Sequence, residues 1–262
     1  MPLPMRRLVL GLRERYCKPI NIKKNSIEMT ILHISDTHNL HHKITSPLIS
    51  KADILIHSGD ITNQWGEEYK QGGVMSVGRA VNDWVTQGDR NTNGMFEDGS
   101  TNQAFARADQ MKWVEDKQYY KVSAFWRVVK AIIQNTICAG NDWYKHAVWS
   151  NLYKLSPTGG GNPSNSLCKK QLEICIDIFK KEIETFDPKF IVCLSGKGWY
   201  YDFLCGLNND TEPVVEREET WGDYKATIYR IGNRCYIGSE HPQGKNEVAH
   251  INTITKLLKE LM

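Results

Sequence analysis

LEICIDIFKKEIETFDPKFIVCLSG, residues 172–196, is the stretch whose reading decides the fold. Leu172, Cys175, Ile176, Phe179 and Ile183 recur at the spacing of one face of a helix, and Asp187-Pro188 stops it. Phe190-Ile191-Val192-Cys193-Leu194 is then a short continuous apolar run closed by Ser195-Gly196, the pattern of a strand buried on both faces of a parallel sheet. The same alternation extends outward. Phe125, Val128, Val129, Ile132 and Ile133 mark an earlier helix, and residues 74–77 a brief strand. Residues 227–231 and 235–238 read as strands, and Val248, Ile251, Ile254, Leu257, Leu258 and Leu261 mark a closing helix. Residues 29–34 and 53–57 read as two further strands joined through a loop and short helix, an N-terminal β-α-β fragment. Strands alternating with helices predict an α/β protein: three α/β/α layers around a mostly parallel central sheet.

Composition bounds the function classes. A net charge of +3 on 262 residues permits contact with nucleic acid without demanding it. Seven cysteines with no Cys-x-x-Cys argue against a disulfide framework, a zinc ribbon or an iron–sulfur cluster, and point to a cytoplasmic chain. No apolar run is long enough to span a bilayer, so no membrane partner is expected, and the chain reads as a monomer. Residues 1–28 read as a basic, poorly ordered extension. Residues 86–103 form a long polar stretch rich in Gly, Asn, Asp and Thr, of the kind that is functional or disordered.

Two sets of motifs carry chemistry. The first is Ile31-Leu32-His33-Ile34-Ser35-Asp36-Thr37-His38 followed by His57-Ser58-Gly59-Asp60. It resembles the start of a calcineurin-like metallophosphoesterase. That resemblance implies Asp36, His38 and Asp60 as metal ligands at the ends of adjacent parallel strands. The later motifs of that family do not follow. The Gly-Asn pairs at 140–141, 161–162 and 232–233 precede Asp, Pro and Arg, and no His-x-His occurs among the eight histidines. Two metals call for roughly eight donors between them, so residues 29–62 read as an incomplete fragment.

The second set spans residues 63–262 and resembles the uracil-DNA glycosylase superfamily in three pieces, in that family's order. Val74-Met75-Ser76-Val77-Gly78-Arg79-Ala80-Val81-Asn82-Asp83-Trp84 is similar to the strand and turn carrying the water-positioning residue. Trp149-Ser150-Asn151-Leu152 is similar to the segment whose Asn reads the flipped base. Ser239-Glu240-His241-Pro242-Gln243 is similar to the His-Pro loop after the last strand. The first piece departs from the family's Gly-Gln-Asp-Pro-Tyr-His and Gly-Met-Asn-Pro patterns, and Gln243 stands where Ser is usual.

The resemblance implies a hydrolase of base-excision DNA repair acting on a flipped base, with DNA as partner and no cofactor. His241 and either Asn82 or Asp83 become the catalytic candidates. Asn151 would read the base, with Trp84 or Phe96 stacking on it, and Arg79, Gln243 and Lys245 become DNA contacts. An amide offers a donor and an acceptor, which matches the O4 and N3–H edge of uracil. Trp143, Trp149 and Trp199 read as core or rim packing. The alternatives are metal-dependent phosphoester hydrolysis from the N-terminal motifs, the one reading that needs a divalent metal, and a catalytically silent nucleic-acid binding module. With three of the phosphoesterase ligands present, residues 29–62 are not expected to hold a two-metal centre. Manganese-stimulated cleavage of bis-p-nitrophenyl phosphate that disappears in Asp60→Asn would overturn that expectation.

Overall fold

The computed structural model describes residues 17–24, 27–35, 54–58, 66, 68–80, 110–154 and 161–262. The chain divides into two units, Met1–Asn63 with Trp84–Ala108, and Gln64–Asp83 with Asp109–Met262.

In the first unit, strands β1 (Cys17–Lys24), β2 (Ile27–Ser35) and β3 (Ile54–Ser58) form a sheet in that order. β2 and β3 take up the two apolar runs of the N-terminal motifs and pair in parallel, ending level at Ser35 and Ser58. Residues 17–24, part of the segment read as an extension, pair antiparallel with β2 from Cys17 opposite Ile34 to Lys24 opposite Ile27. The candidate ligands Asp36, His38 and Asp60 lie outside the described residues, as does the short helix expected before β3.

The second unit is built on six strands: β4 (Val74–Ala80), β5 (Val148–Tyr153), β6 (Phe190–Leu194), β7 (Val214–Trp221), β8 (Tyr224–Ile231) and β9 (Arg234–Ser239). Their order across the sheet is β5-β4-β6-β9-β8-β7. β4 runs parallel to β5 and β6, and β6 to β9, whereas β8 and β7 add an antiparallel edge. The α/β reading and the mostly parallel sheet therefore hold, with β7 as an edge strand that the sequence did not announce. Its residues Val214 and Val215 are exposed, and Glu216 to Glu219 are charged, which deprives it of an apolar signature.

The helices are α1 (Gln110–Asp116), α2 (Ala124–Thr136), α3 (Asn165–Phe186), α4 (Lys197–Leu207) and α5 (Glu247–Leu261). Three begin on a polar cap that accepts from a first-turn amide: Ser123 from Trp126, Ser164 from Leu167 and Asn246 from Ala249. α3 ends where Asp187 turns into the left-handed region at φ 44° ahead of Pro188, which cannot continue a helix. No helix among the described residues is long and apolar enough to cross a membrane.

Alternation along β6 shows how the sheet is covered. Phe190, Val192 and Leu194 join one cluster with Val128, Val129 and Ile132 of α2 and Ile254, Leu257 and Leu258 of α5. Ile191 and Cys193 point to the opposite face and are buried as well. On β5 a buried polar network replaces apolar contact. Lys154 reaches both carboxylate oxygens of Glu182 in α3 at 2.7 and 2.8 Å, and Ser150 donates to the same carboxylate at 2.6 Å.

The sheet order reverses at β4. The chain leaves it for β5 on one side and returns to β6 on the other, which opens a crevice beyond the C-terminal ends of these strands.

One buried histidine couples this fold to pH. His250 of α5 is buried, stacks on Trp221 with centroids 4.0 Å apart and planes at 4°, and meets Ser239 Oγ at 2.9 Å through Nε2. Burial, with Lys245 and His241 nearby, lowers its pKa from 6.5 to about 4, against a smaller opposing pull from Glu247. The unfolded chain therefore binds a proton before the folded chain does. The stabilisation is complete above about pH 6.5 and is lost as pH falls towards 4. His250→Gln, which keeps a polar group near Ser239 but does not titrate, is expected to flatten the fall in stability between pH 7 and pH 5 by on the order of 2 kcal/mol. Urea melts at pH 7 and pH 5 measure it.

Candidate functional site

Gly78 near the end of β4 lies directly opposite Asn151 on β5. Opposed residues of paired strands project to the same face, so Asn151 extends across the bare Cα of Gly78. A Cβ built there would overlap Asn151 Oδ1 and would stand 3.5 Å from Phe125 Cε2. The absent side chain thus admits both an amide and an aromatic edge. Asn151 sits within a strand, not at a turn, and its carbonyl accepts from Lys154 Nζ at 2.6 Å.

Phe125, in the first turn of α2, carries the cluster across to the loop after β9. Its ring lies against that of His241, with centroids 6.5 Å apart and planes at 18°. The backbone N–H of Gln243 donates to His241 Nδ1 at 3.3 Å, which leaves Nε2 to carry the proton of the neutral ring. Burial lowers the pKa of His241 from 6.5 to about 4, and the positive charges of Arg79 and Lys245 push the same way. The imidazole is therefore a neutral donor at pH 7.

Arg79, the residue after Gly78, turns towards β6. Its Nε donates to the carbonyl of Ser195 at 2.6 Å, and its guanidinium lies 5.2 Å from the centre of the Trp199 ring. Burial lowers its pKa and Glu240 opposes that shift. Gly196 makes the close approach possible. It holds φ at 92°, and a Cβ there would stand 3.1 Å from Glu240 Oε2 and 3.6 Å from Arg79 Nη2.

Four of the residues proposed from sequence thus gather at the C-terminal ends of β4, β5, β6 and β9: Asn151, His241, Arg79 and Gln243. Gln243 contributes its backbone to His241, and its side chain is exposed. Lys245 is near enough for its charge to act on His241, and its ammonium lies 5.0 Å from the centre of the Tyr224 ring. Asn82, Asp83, Trp84 and Phe96 lie outside the described residues. Phe125 joins the cluster without being proposed as functional from sequence, where Glu240 is named only within the His-Pro piece, Trp199 reads as core or rim packing and Ser195-Gly196 reads as the end of a strand. Phe125 belongs to an ordinary apolar stripe, and only its distance from Gly78 and His241 distinguishes it.

Chemically, the cluster offers an amide with a donor and an acceptor, a flat apolar ring, a neutral N–H donor and a cation held close by. That set suits a planar heteroaromatic ring with polar edges on which negative charge develops. Comparison of the chain with protein-family models, with curated proteins and with solved structures gives no match.

The electrostatics give a direct test. The His241 ring is expected to titrate near pH 4 by proton NMR, against 6.5 for an open histidine, and its midpoint should rise in Arg79→Gln as one repelling charge is removed. A midpoint near 6.5 in the native protein would contradict the buried, neutral ring.

Proposed function

We propose that the second unit is a uracil-DNA glycosylase-like hydrolase, with its two faces of helices forming the outer layers of an α/β/α fold, and that it excises uracil or a related damaged base from DNA. The observation that carries this reading is the convergence of Asn151, Phe125 and His241 around the bare backbone of Gly78. A base extruded from the helix stacks on Phe125 and presents its O4 and N3–H edge to the Asn151 amide. The glycosidic bond breaks with its electron pair passing to the base. His241 Nε2–H donates to the base O2 as negative charge accumulates there, and Arg79 adds positive potential. Water attacks the sugar carbon, with Asn82 or Asp83 as its holder, and its proton passes to solvent as the hydroxyl forms, while the departing base anion takes up a proton from solvent on release. No metal takes part in these steps.

Stabilisation of this kind is realised only in the transition state. His241→Ala is therefore expected to lower single-turnover excision by about 10²–10³-fold with DNA affinity nearly unchanged. Asn151→Asp is expected to erode discrimination against cytosine, because a carboxylate accepts from the cytosine amino group and has no donor for O4. Uracil- and cytosine-bearing oligonucleotides, incubated with EDTA and then cleaved by alkali at abasic sites, supply the measurement, with circular dichroism as the folding control. Native rates in His241→Ala would remove the central residue. Uracil-dependent binding without release of free base would favour a silent binding module, and activity abolished by EDTA would favour phosphoester chemistry.

A further inference from the structure

Away from the crevice, Cys138, Asp142 and His146 bring one sulfur, one oxygen and one nitrogen donor within 4.8 Å of one another. They occupy the segment between α2 and β5. Cys138 Sγ lies 3.2 Å from Asp142 Oδ1, and His146 Nε2 lies 4.0 Å from Asp142 Oδ2. A fourth donor stands beside them, since Glu68 Oε2 is 3.4 Å from the same His146 nitrogen. We propose that Cys138, Asp142 and His146, completed by Glu68, form a binding site for a single zinc ion.

Geometry and chemistry both support zinc. Tetrahedral sites with metal–ligand bonds of about 2.0–2.3 Å place neighbouring donor atoms roughly 3.3–3.8 Å apart. The Cys138–Asp142 and Asp142–His146 separations of 3.2 and 4.0 Å lie on either side of that edge length, and Glu68, 3.4 Å from His146, has to swing towards the other two donors to take the fourth position. A mixed sulfur, nitrogen and oxygen set favours zinc over magnesium or calcium, which prefer oxygen alone. Binding converts the Cys138 thiol to a thiolate and releases its proton to solvent.

The scaffold beneath the donors is held firmly. Trp143 is buried and donates through Nε1 to Glu115 at 2.6 Å, which anchors the turn Trp143–His146. Gln134 donates to the Gly140 carbonyl at 3.0 Å. The Glu68 segment is tied to the same turn through its backbone, Glu68 N to Lys145 O and Gly66 N to Ala147 O, both at 2.9 Å. The competing arrangement is an ion-pair cluster in which protonated His146 and Lys145 neutralise Glu68, with Lys145 Nζ 3.6 Å away. In that arrangement the Cys138 thiol donates a hydrogen bond to Asp142 Oδ1, and zinc binding would replace this contact with a metal–thiolate bond.

Position assigns the role. Glu68 precedes β4 and Cys138 to His146 precede β5, so the donors lie at the N-terminal ends of two parallel strands whose C-terminal ends carry Gly78 and Asn151. The ion acts as a structural clip between the segments leading into β4 and β5.

The full chain, loaded with zinc and dialysed, is expected to retain about one ion through this site. Cobalt in its place should give a thiolate-to-metal charge-transfer band that is absent in Cys138→Ser. Zinc affinity should fall at least about tenfold in Cys138→Ser and in His146→Ala. Glu68→Gln should weaken binding with the charge-transfer band retained. Zinc should raise the melting temperature of the native chain but not of Cys138→Ser. Absence of measurable zinc binding, or zinc affinity and a cobalt band unchanged in Cys138→Ser, would overturn the proposal. Circular dichroism checks that each variant is folded, and uracil excision by Cys138→Ser distinguishes this site from the His241 crevice.

Discussion

The space above Gly78 is the constraint on which the crevice depends. A parallel pair of strands places opposed side chains side by side, and any side chain at position 78 would fill the volume that the Asn151 amide and the Phe125 edge now share. The Asn151 amide is what requires the glycine, Phe125 from the first turn of α2 packs at ordinary contact distance beside it, and the Phe125 ring runs nearly parallel to that of His241 with centroids 6.5 Å apart. Behind Asn151, the Lys154–Glu182 pair fixes the backbone. Burying such a pair brings a desolvation cost that only good geometry offsets. Here the ammonium reaches Glu182, Ser150 and the Asn151 carbonyl together. The pair therefore contributes position more than net stability.

The reversal of strand order supplies the second half of the arrangement. Because β4 lies between β5 and β6, the residues just after its end face the turn that leaves β6. Arg79 takes up that position and binds the Ser195 carbonyl, and only a glycine at 196 lets Glu240 and the guanidinium draw so near. Glu240 belongs to the same loop as His241 and its charge acts on Arg79, so the guanidinium and the imidazole share one electrostatic neighbourhood.

Much of this was legible in sequence, for physical reasons that differ from element to element. β6 and α3 are plain because burial on both faces demands an unbroken apolar run, while a half-exposed helix demands a stripe. β7 was not legible, since an edge strand with Glu216, Arg217, Glu218 and Glu219 satisfies its exposed faces with charge and shows no alternation. β1 was hidden in the same way, because Lys18, Asn21, Lys23 and Lys24 make its segment look like a basic tail. In the site, Asn151 and His241 stood out through motif order. Phe125 could not, since its helical spacing is that of a core residue and its place near the crevice is a tertiary fact. Cys138, Asp142 and His146 recur every four residues, yet they did not stand out, because no apolar helical stripe runs through residues 138–146 and their convergence depends on the Trp143–His146 turn.

The two ends of the parallel sheet carry opposite electrostatic problems, and each solves its own. In the proposed reaction, a cation and a donor at the C-terminal ends are kept ready for negative charge without themselves collapsing onto a carboxylate. Arg79 is engaged by a neutral carbonyl, with Glu240 near but not dominant, and burial keeps His241 neutral, with the Arg79 charge adding to it. A protonated His241 would be repelled by Arg79 and Lys245, so the ring is held in the state that can donate from Nε2 yet remain uncharged until a developing anion arrives. At the N-terminal ends, Asp142 accepts from the Cys138 thiol, while Lys145 and His146 lie 3.6 and 3.4 Å from Glu68, so donors of three kinds share one surface cluster. β4 and β5 connect the two regions directly, so a clip that fixes the start of these strands also fixes the register that sets Gly78 opposite Asn151.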